Sequence, residues 1–239
     1  MPRMNKWLAD RMERAFSSQF HPVDVVEIEQ IGERLRRVRF AGDLSATSYA
    51  PGYVIEFRIT DVDFRHYTPA YYDAERGLCD VLFYLHDKGV GSAWAANLEV
   101  GQRVTLMGPG NKMTLRDGAR HLLFGDETAI GLCAAMTDAT QRSGAQLHSL
   151  LELDATHWAW PVQLGLEVTL LDKDPNSTAA RDWFAQQSEA DWQRLRGAQF
   201  YLVGRARSIQ AIKQTLRARG VARRQIQSAP YWAEGKNGL

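Results

Sequence analysis

Apolar and polar positions follow one rhythm from Pro22 to about Leu115 and another after Gly118. In the first stretch, short runs rich in β-branched and aromatic residues sit close together. Val23–Ile31, Leu35–Ala41, Tyr53–Ile59, Phe64–Tyr72, Leu78–Leu85 and Val104–Met107 predict strands. Turn residues separate them at Gly42-Asp43, Pro51-Gly52, Glu75-Arg76-Gly77 and Gly101-Gln102. Many short strands with few helices imply a small antiparallel barrel, because closure removes exposed edges. After Gly118 the pattern alternates. His121–Phe124, Gln146–Leu153, Leu166–Leu171 and Gln199–Val203 predict strands, and Glu127–Arg142, Ala179–Gln187 and Ile209–Arg219 predict helices, the last ended by Gly220. That alternation predicts a parallel sheet with crossover helices. The expected fold class is therefore a two-domain α/β protein, with an antiparallel β-barrel followed by a parallel-sheet α/β domain. The expected layout is an N-terminal amphipathic helix over residues 1–21, the barrel over 22–117 and the α/β domain over 118–239. The linker is the turn-rich segment Arg116–Arg120.

Composition narrows the function classes. The chain has 239 residues, enough for two ordinary domains, and 45% are apolar, which is sufficient for sizeable cores. A formal net charge of +1 gives no global electrostatic attraction to nucleic acid or an anionic membrane. Cys79 and Cys133 lie far apart and belong to no metal-spaced cluster, and the six histidines show no metal spacing either. No metal site is expected. No apolar run approaches the roughly 18–20 residues that span a bilayer, and the charged N-terminus lacks the apolar centre of a signal peptide. A cytoplasmic location without stable membrane insertion is expected. Met4, Trp7, Leu8, Met12, Ala15 and Phe16 fall near one helical face. That face suits docking on the domain, a dimer contact or a membrane-surface anchor.

Three stretches carry candidate chemistry. In Arg65-His66-Tyr67-Thr68-Pro69-Ala70, strand geometry places Arg65 and Tyr67 on one face. A guanidinium holds a pyrophosphate through paired charge-assisted bonds, an aromatic ring stacks on a flat heterocycle, and the Thr68 hydroxyl suits a ring nitrogen. The same residues also suit a plain strand with a solvated Arg and a core Tyr. The second stretch runs from His86 through Gly89, Gly91 and Ser92 to Leu98. Its glycines allow close backbone approach, and the short helix that follows would aim amide N–H groups at an anion. Ser92 suits a helix cap or a phosphate donor. In the third, Leu122-Leu123-Phe124-Gly125-Asp126-Glu127-Thr128-Ala129, an apolar strand runs through Gly into a helix, the first crossover of an open α/β sheet. Asp126 and Glu127 also fit as acids favoured at a helix start.

Taken in order, these segments resemble the siderophore-interacting protein family, FAD-dependent ferric-siderophore reductases within the ferredoxin-reductase superfamily. The resemblance runs from about Val23 to Gly235. It rests on Arg65-x-Tyr67-Thr68, Gly89-x-x-Ser92-x-Trp94-Ala95, Gly108-Pro109 and Gly125-Asp126-Glu127-Thr128-Ala129. Gly204 after an apolar strand and the terminal Tyr231-Trp232-x-x-Gly235 complete it. The resemblance implies that Arg65 contacts the FAD pyrophosphate, Tyr67 packs on the isoalloxazine, and Thr68, the catalytic candidate, lies near its N5. His86, Gly91 and Ser92 belong to the same cofactor-binding set, with Gly91 and Ser92 at the pyrophosphate. It further implies that Asp126, Glu127 and Thr128 form the nicotinamide-side loop and that Tyr231 or Trp232 lies where hydride arrives. Electrons would pass from NAD(P)H through FAD to a ferric-siderophore substrate, in a monomer or weak dimer.

Departures from the family bear on the substrate. Glu56, Gly110-Asn111 and Ala233-Glu234 stand where basic residues are common around an open flavin face, and Ala70 where Arg is common. Lys112, Arg116 and Lys236 are possible spatial substitutes or solvated surface groups. A strongly anionic catecholate substrate is therefore not the first expectation. Arg205 and Arg207 follow Gly204 at a strand's carboxyl end and would bracket a 2′-phosphate, favouring NADPH over NADH; a solvated pair is the alternative. Two other functions stay open: a general NAD(P)H-dependent flavin or electron-transfer reductase with a protein or quinone acceptor, and a non-catalytic siderophore-binding flavoprotein.

Overall fold

The structure, a computed structural model of the chain, describes residues 19–86 and 88–236. The N-terminal helix expected within residues 1–21 thus falls almost wholly outside them, and the first strand already begins at Phe20. The chain divides into two compact units between Thr114 and Leu115.

The first unit holds seven strands: β1 (Phe20–Gly32), β2 (Leu35–Gly42), β3 (Val54–Arg58), β4 (Phe64–Tyr67), β5 (Tyr71–Asp73), β6 (Leu78–Tyr84) and β7 (Arg103–Gly110). They pair antiparallel in the order β4-β3-β7-β1-β2-β6-β5. The two edge strands, β4 and β5, are joined only by Thr68-Pro69-Ala70. Laid flat, seven strands would separate those edges by about 29 Å. The connection reaches about 14 Å at most. The sheet must therefore roll up, which makes the expected barrel.

Alternation fills its core. Val38 and Phe40 from β2, Ile55 and Phe57 from β3, and Cys79, Val81 and Phe83 from β6 point inward at period two. In β1 the phase changes: Val23 and Val25 face in, Val26 is exposed, and Ile28 packs inward again. The register shift between Val25 and Glu27 makes Val26 the extra residue of a β-bulge, which resets the alternation. The run expected as one strand over Phe64–Tyr72 is two, because Pro69 has no N–H to give a ladder. Between β6 and β7 lies helix α1 (Val90–Ala96), with Ala95 and Leu98 in the core.

The second unit is a five-stranded parallel sheet. Its strands are β8 (Arg120–Asp126), β9 (Gln146–Leu153), β10 (Thr169–Asp172), β11 (Gln199–Arg205) and β12 (Ile226–Trp232), ordered β10-β9-β8-β11-β12. The helices are α2 (Ile130–Ser143), α3 (Trp160–Gln163), α4 (Thr178–Gln186), α5 (Glu189–Leu195) and α6 (Ala206–Ala218). On one face Leu122, Phe124, Leu150, Phe200 and Leu202 pack with Phe184, Trp192, Ile209, Ile212 and Leu216. The intervening Leu123, Leu151, Tyr201 and Val203 are buried too, as expected of a sheet covered on both sides. The chain leaves β8 toward β9 and β10 on one side, then returns to β11 and β12 on the other. The topological switch point, where open α/β sheets take ligands, therefore lies at the carboxyl ends of β8 and β11. No helix among the described residues is long and apolar enough to cross a membrane.

Candidate functional site

In the barrel unit the first two candidate stretches meet at one glycine. A Cβ added at Gly91 would lie 2.8 Å from the Tyr67 hydroxyl and 3.1 Å from Cγ of Arg65. Only a residue without a side chain lets β4 and the first turn of α1 approach this closely. Tyr67 stands edge-on to Phe83, ring centroids 4.7 Å apart, and tilts against Phe57 at 6.1 Å. Burial pushes its phenol well above the ordinary value, so the hydroxyl stays neutral. Arg65 donates through Nη1 to the Phe64 carbonyl at 2.8 Å, and its Nη2 lies 3.8 Å from the buried Asp63 carboxylate. Its guanidinium is thus oriented but only part-buried. Thr68 is buried at the β4 end, and His86 is exposed, its Nδ1 accepting from the Lys88 amide at 3.3 Å.

Helix α1 begins at Val90 with Gly89 as its cap, so Ser92 lies inside the first turn rather than capping it. The opposite end has an unexpected anchor. Arg36 of β2 donates to the carbonyls of Ala95 (2.8 Å), Ala96 (2.6 Å) and Leu98 (2.9 Å), satisfying groups that a helix end leaves open. It stands far away in sequence, and no local motif signals it.

In the α/β unit the acids of the Gly125–Ala129 turn reach in opposite directions. Asp126 is 2% exposed and fully hydrogen-bonded. Its Oδ1 accepts from the Thr128 amide (2.9 Å) and hydroxyl, and its Oδ2 from the Arg205 amide (3.0 Å) and Trp232 Nε1 (2.7 Å). Gly204, with φ +91°, makes room: a Cβ there would come 2.7 Å from the Asp126 carboxyl carbon. Burial raises the Asp126 pKa against the lowering effect of the bonds from Thr128 and Trp232. Glu127, 0% exposed, turns the other way to accept from the Asp154 amide (3.0 Å) and the Lys173 ammonium, with His157 Nδ1 at 3.1 Å. Burial pushes its carboxyl up, but the Lys173 charge and these hydrogen bonds outweigh it and hold the pKa below the ordinary value. Lys173 also lies 5.7 Å from the Trp232 ring centre, a cation–π distance.

Arg205, expected to face a 2′-phosphate, is instead buried and engaged within the protein. Its guanidinium donates to Ser208 Oγ (2.8 Å), Ser177 Oγ (3.0 Å) and the Asp174 carbonyl (2.6 Å), and lies 3.8 Å from Glu152. Ser208, three residues on in the first turn of α6, is a local partner, whereas Glu152 on β9, Asp174 and Ser177 in the loop after β10, and Glu234, 3.6 Å away, are brought in from distant sequence. Arg207 keeps an exposed guanidinium, 3.2 Å from Asn176 Oδ1. Tyr231 and Trp232 end β12, half-buried.

Comparison with known proteins bears on both units. Residues 60–113 match the siderophore-interacting FAD-binding domain, and residues 118–235 match the siderophore-interacting protein family. Ferric vibriobactin reductase ViuB of Vibrio cholerae is 28% identical over 178 residues, 72% of this chain; the match spans 65% of the relative's length. The siderophore-interacting protein SipS from Aeromonas hydrophila superposes with a TM-score of 0.73 at 19% identity, covering 90% of this chain and 99% of that one. A siderophore utilization protein from T. fusca gives a TM-score of 0.75 at 24% identity, covering 92% and 95%. The ferredoxin reductase of carbazole 1,9a-dioxygenase gives 0.74 at 18% identity, covering 89% and 68%. These superpositions establish the fold, a two-unit ferredoxin-reductase architecture. With its two units matched in order by two models of one family, the chain belongs to the siderophore-interacting proteins.

Proposed function

We propose that the chain is an FAD-dependent reductase that passes electrons from NAD(P)H to a ferric siderophore and releases Fe(II). The observation that carries this reading is the meeting of Arg65 and Tyr67 at Gly91, inside the segment matched by the FAD-binding family. The missing Cβ at Gly91 lets the backbone close onto the Arg65 stem and the Tyr67 hydroxyl, so that a guanidinium and a phenol converge beside an accessible backbone, the groups suited to a pyrophosphate next to a flat ring system. When bound, FAD supplies two-electron uptake from a reduced nicotinamide and one-electron delivery to ferric iron.

The chain's residues do the holding. Arg65, already oriented by the Phe64 carbonyl, pairs with a pyrophosphate oxygen. Ser92, in the first turn of α1, offers its hydroxyl to the same group, with Gly91 giving backbone approach. Tyr67, held neutral, presents an aromatic wall, and Thr68 supplies a hydroxyl for a ring nitrogen. His86 borders this half-site. At the carboxyl edge of the parallel sheet, Thr128, Gly204 and the Tyr231-Trp232 pair form the nicotinamide half-site, shaped by Asp126 and Glu127. Of the two arginines expected at a 2′-phosphate, Arg207 is the exposed one and carries that role. The activity named for ViuB supports a ferric chelate as acceptor.

The test has two readouts. Purified protein should bind FAD, and Arg65→Ala should weaken that binding about 10-fold or more, because a charge-assisted bond is lost. With NAD(P)H and a ferric hydroxamate under anaerobic conditions, a ferrous chelator should trap Fe(II). Unchanged FAD affinity in the variant would overturn the site assignment, and absence of Fe(II) would overturn the acceptor.

A further inference from the structure

The carboxyl ends of β8, β11 and β12 meet at a single carboxylate. Asp126 Oδ2 accepts at once from the Arg205 amide, at the start of α6, and from the indole N–H of Trp232, at the end of β12. Two backbone features serve this meeting. Gly204 removes the Cβ that would otherwise collide with the carboxyl group. In the β11–β12 register Gly204 pairs with Pro230 and Arg205 with Trp232, leaving Tyr231 as an extra residue. A one-residue irregularity of this kind re-aims the side chain that follows it. Here that side chain is Trp232, brought to 2.7 Å from Asp126. Lys173, itself paired with Glu127, lies over the indole ring.

We infer that Asp126 is a positioning residue that locks Trp232, and with it the segment Tyr231–Gly235, across the topological switch point. The inference rests on the nicotinamide reading proposed above, because it assigns the lock a purpose there. All four acceptor contacts of the Asp126 carboxylate are made by the protein, so it acts on a nucleotide through Trp232. An indole is a two-ended anchor, with an apolar face and one directional donor. The hydrogen bond fixes the direction of that donor and Lys173 stands against the ring, and an indole held at both points at the mouth of the crevice sets the space open to a nicotinamide ring. The Thr128 hydroxyl touches the same carboxylate through Oδ1 and makes no bond to the indole, and the Thr128 amide bond to Oδ1 does not depend on that hydroxyl.

Amide hydrogen exchange and nucleotide affinity on the full-length, FAD-loaded protein test the lock. Trp232→Phe keeps the apolar face and removes the donor, a milder change than Asp126→Ala, which also strands the Arg205 amide. Both should speed exchange of the amides in 231–236 about 10-fold, the equivalent of one charge-assisted hydrogen bond. Both should weaken NADP+ or NADH binding, measured by calorimetry, and raise KM more than they lower kcat, with FAD content unchanged. Thr128→Val should leave exchange in 231–236 close to the wild-type rate. Unaltered exchange in both Trp232→Phe and Asp126→Ala would overturn the lock. Faster exchange with unaltered nucleotide affinity would overturn its positioning role. If neither nucleotide reduces the wild-type protein, the functional reading fails, while the exchange comparison still decides whether the lock exists.

Discussion

At the scale of single residues, much of the barrel half-site is legible in the sequence and much of the α/β half-site is not. Arg65 and Tyr67 share a face because strand periodicity dictates it, and Gly91 reads as a place of close approach. Gly91→Ala should therefore press on the Tyr67 hydroxyl and cost about 1–3 kcal/mol of stability, with weaker FAD retention, checked by thermal unfolding and flavin content. Arg205 is the opposite case. An arginine after a strand-ending glycine suggests an exposed anion ligand, but its partners Glu152, Asp174 and Ser177 arrive through tertiary structure, and only Ser208 is local. Burial, opposed by Arg205, raises the Glu152 pKa to about 7 from 4.5, and its Oε1 has no hydrogen-bond partner. A carboxyl with a raised folded-state pKa favours folding most while it stays protonated, below about pH 4.5, and that advantage fades as pH rises through 7. Wild-type protein should thus lose on the order of 1–3 kcal/mol relative to Glu152→Gln between pH 5 and 8. Parallel pH dependences in denaturant titrations of the two proteins would contradict this.

At the scale of elements, period-two alternation located nearly every barrel strand, since each exposes one face to the core. It marked Phe64–Tyr72 as one strand where Pro69 interrupts the ladder, and it cannot show that the resulting edges β4 and β5 close the sheet. In the α/β unit, β12 was unread because Ser228 and Pro230 break its apolar run; it is a strand by virtue of pairing with β11. Helices α3 and α5, of four and seven residues, are too short for the helical period to repeat often enough to be read. Helix α1, likewise short, is held at its carboxyl end by Arg36. Replacing Arg36 with Met leaves the carbonyls of Ala95, Ala96 and Leu98 without this donor. The expected loss is about 1–3 kcal/mol, with faster exchange confined to α1 and the following turn. A uniform change in exchange across the barrel would show that Arg36 supports the sheet rather than the helix.

At the scale of the molecule, each unit has its own core, and the proposed chemistry is divided between them. The barrel offers the meeting of Arg65 and Tyr67 at Gly91, and the parallel sheet offers the edge built around Asp126. The change of rhythm near Gly118 made this division readable, because strand-only and strand–helix patterns bury their apolar residues differently. A ferric chelate takes electrons one at a time and NAD(P)H gives a hydride, so the account requires one bound flavin to serve both ends. The most direct test follows flavin absorbance in the FAD-loaded protein under anaerobic conditions. NADPH and NADH are added in turn, and then a ferric hydroxamate with a ferrous chelator. Bleaching by at least one nucleotide, recovery of the oxidised spectrum on adding the chelate, and trapped Fe(II) are the expected results. A flavin that neither nucleotide bleaches, or a bleached flavin that the chelate leaves reduced, would contradict the proposed function.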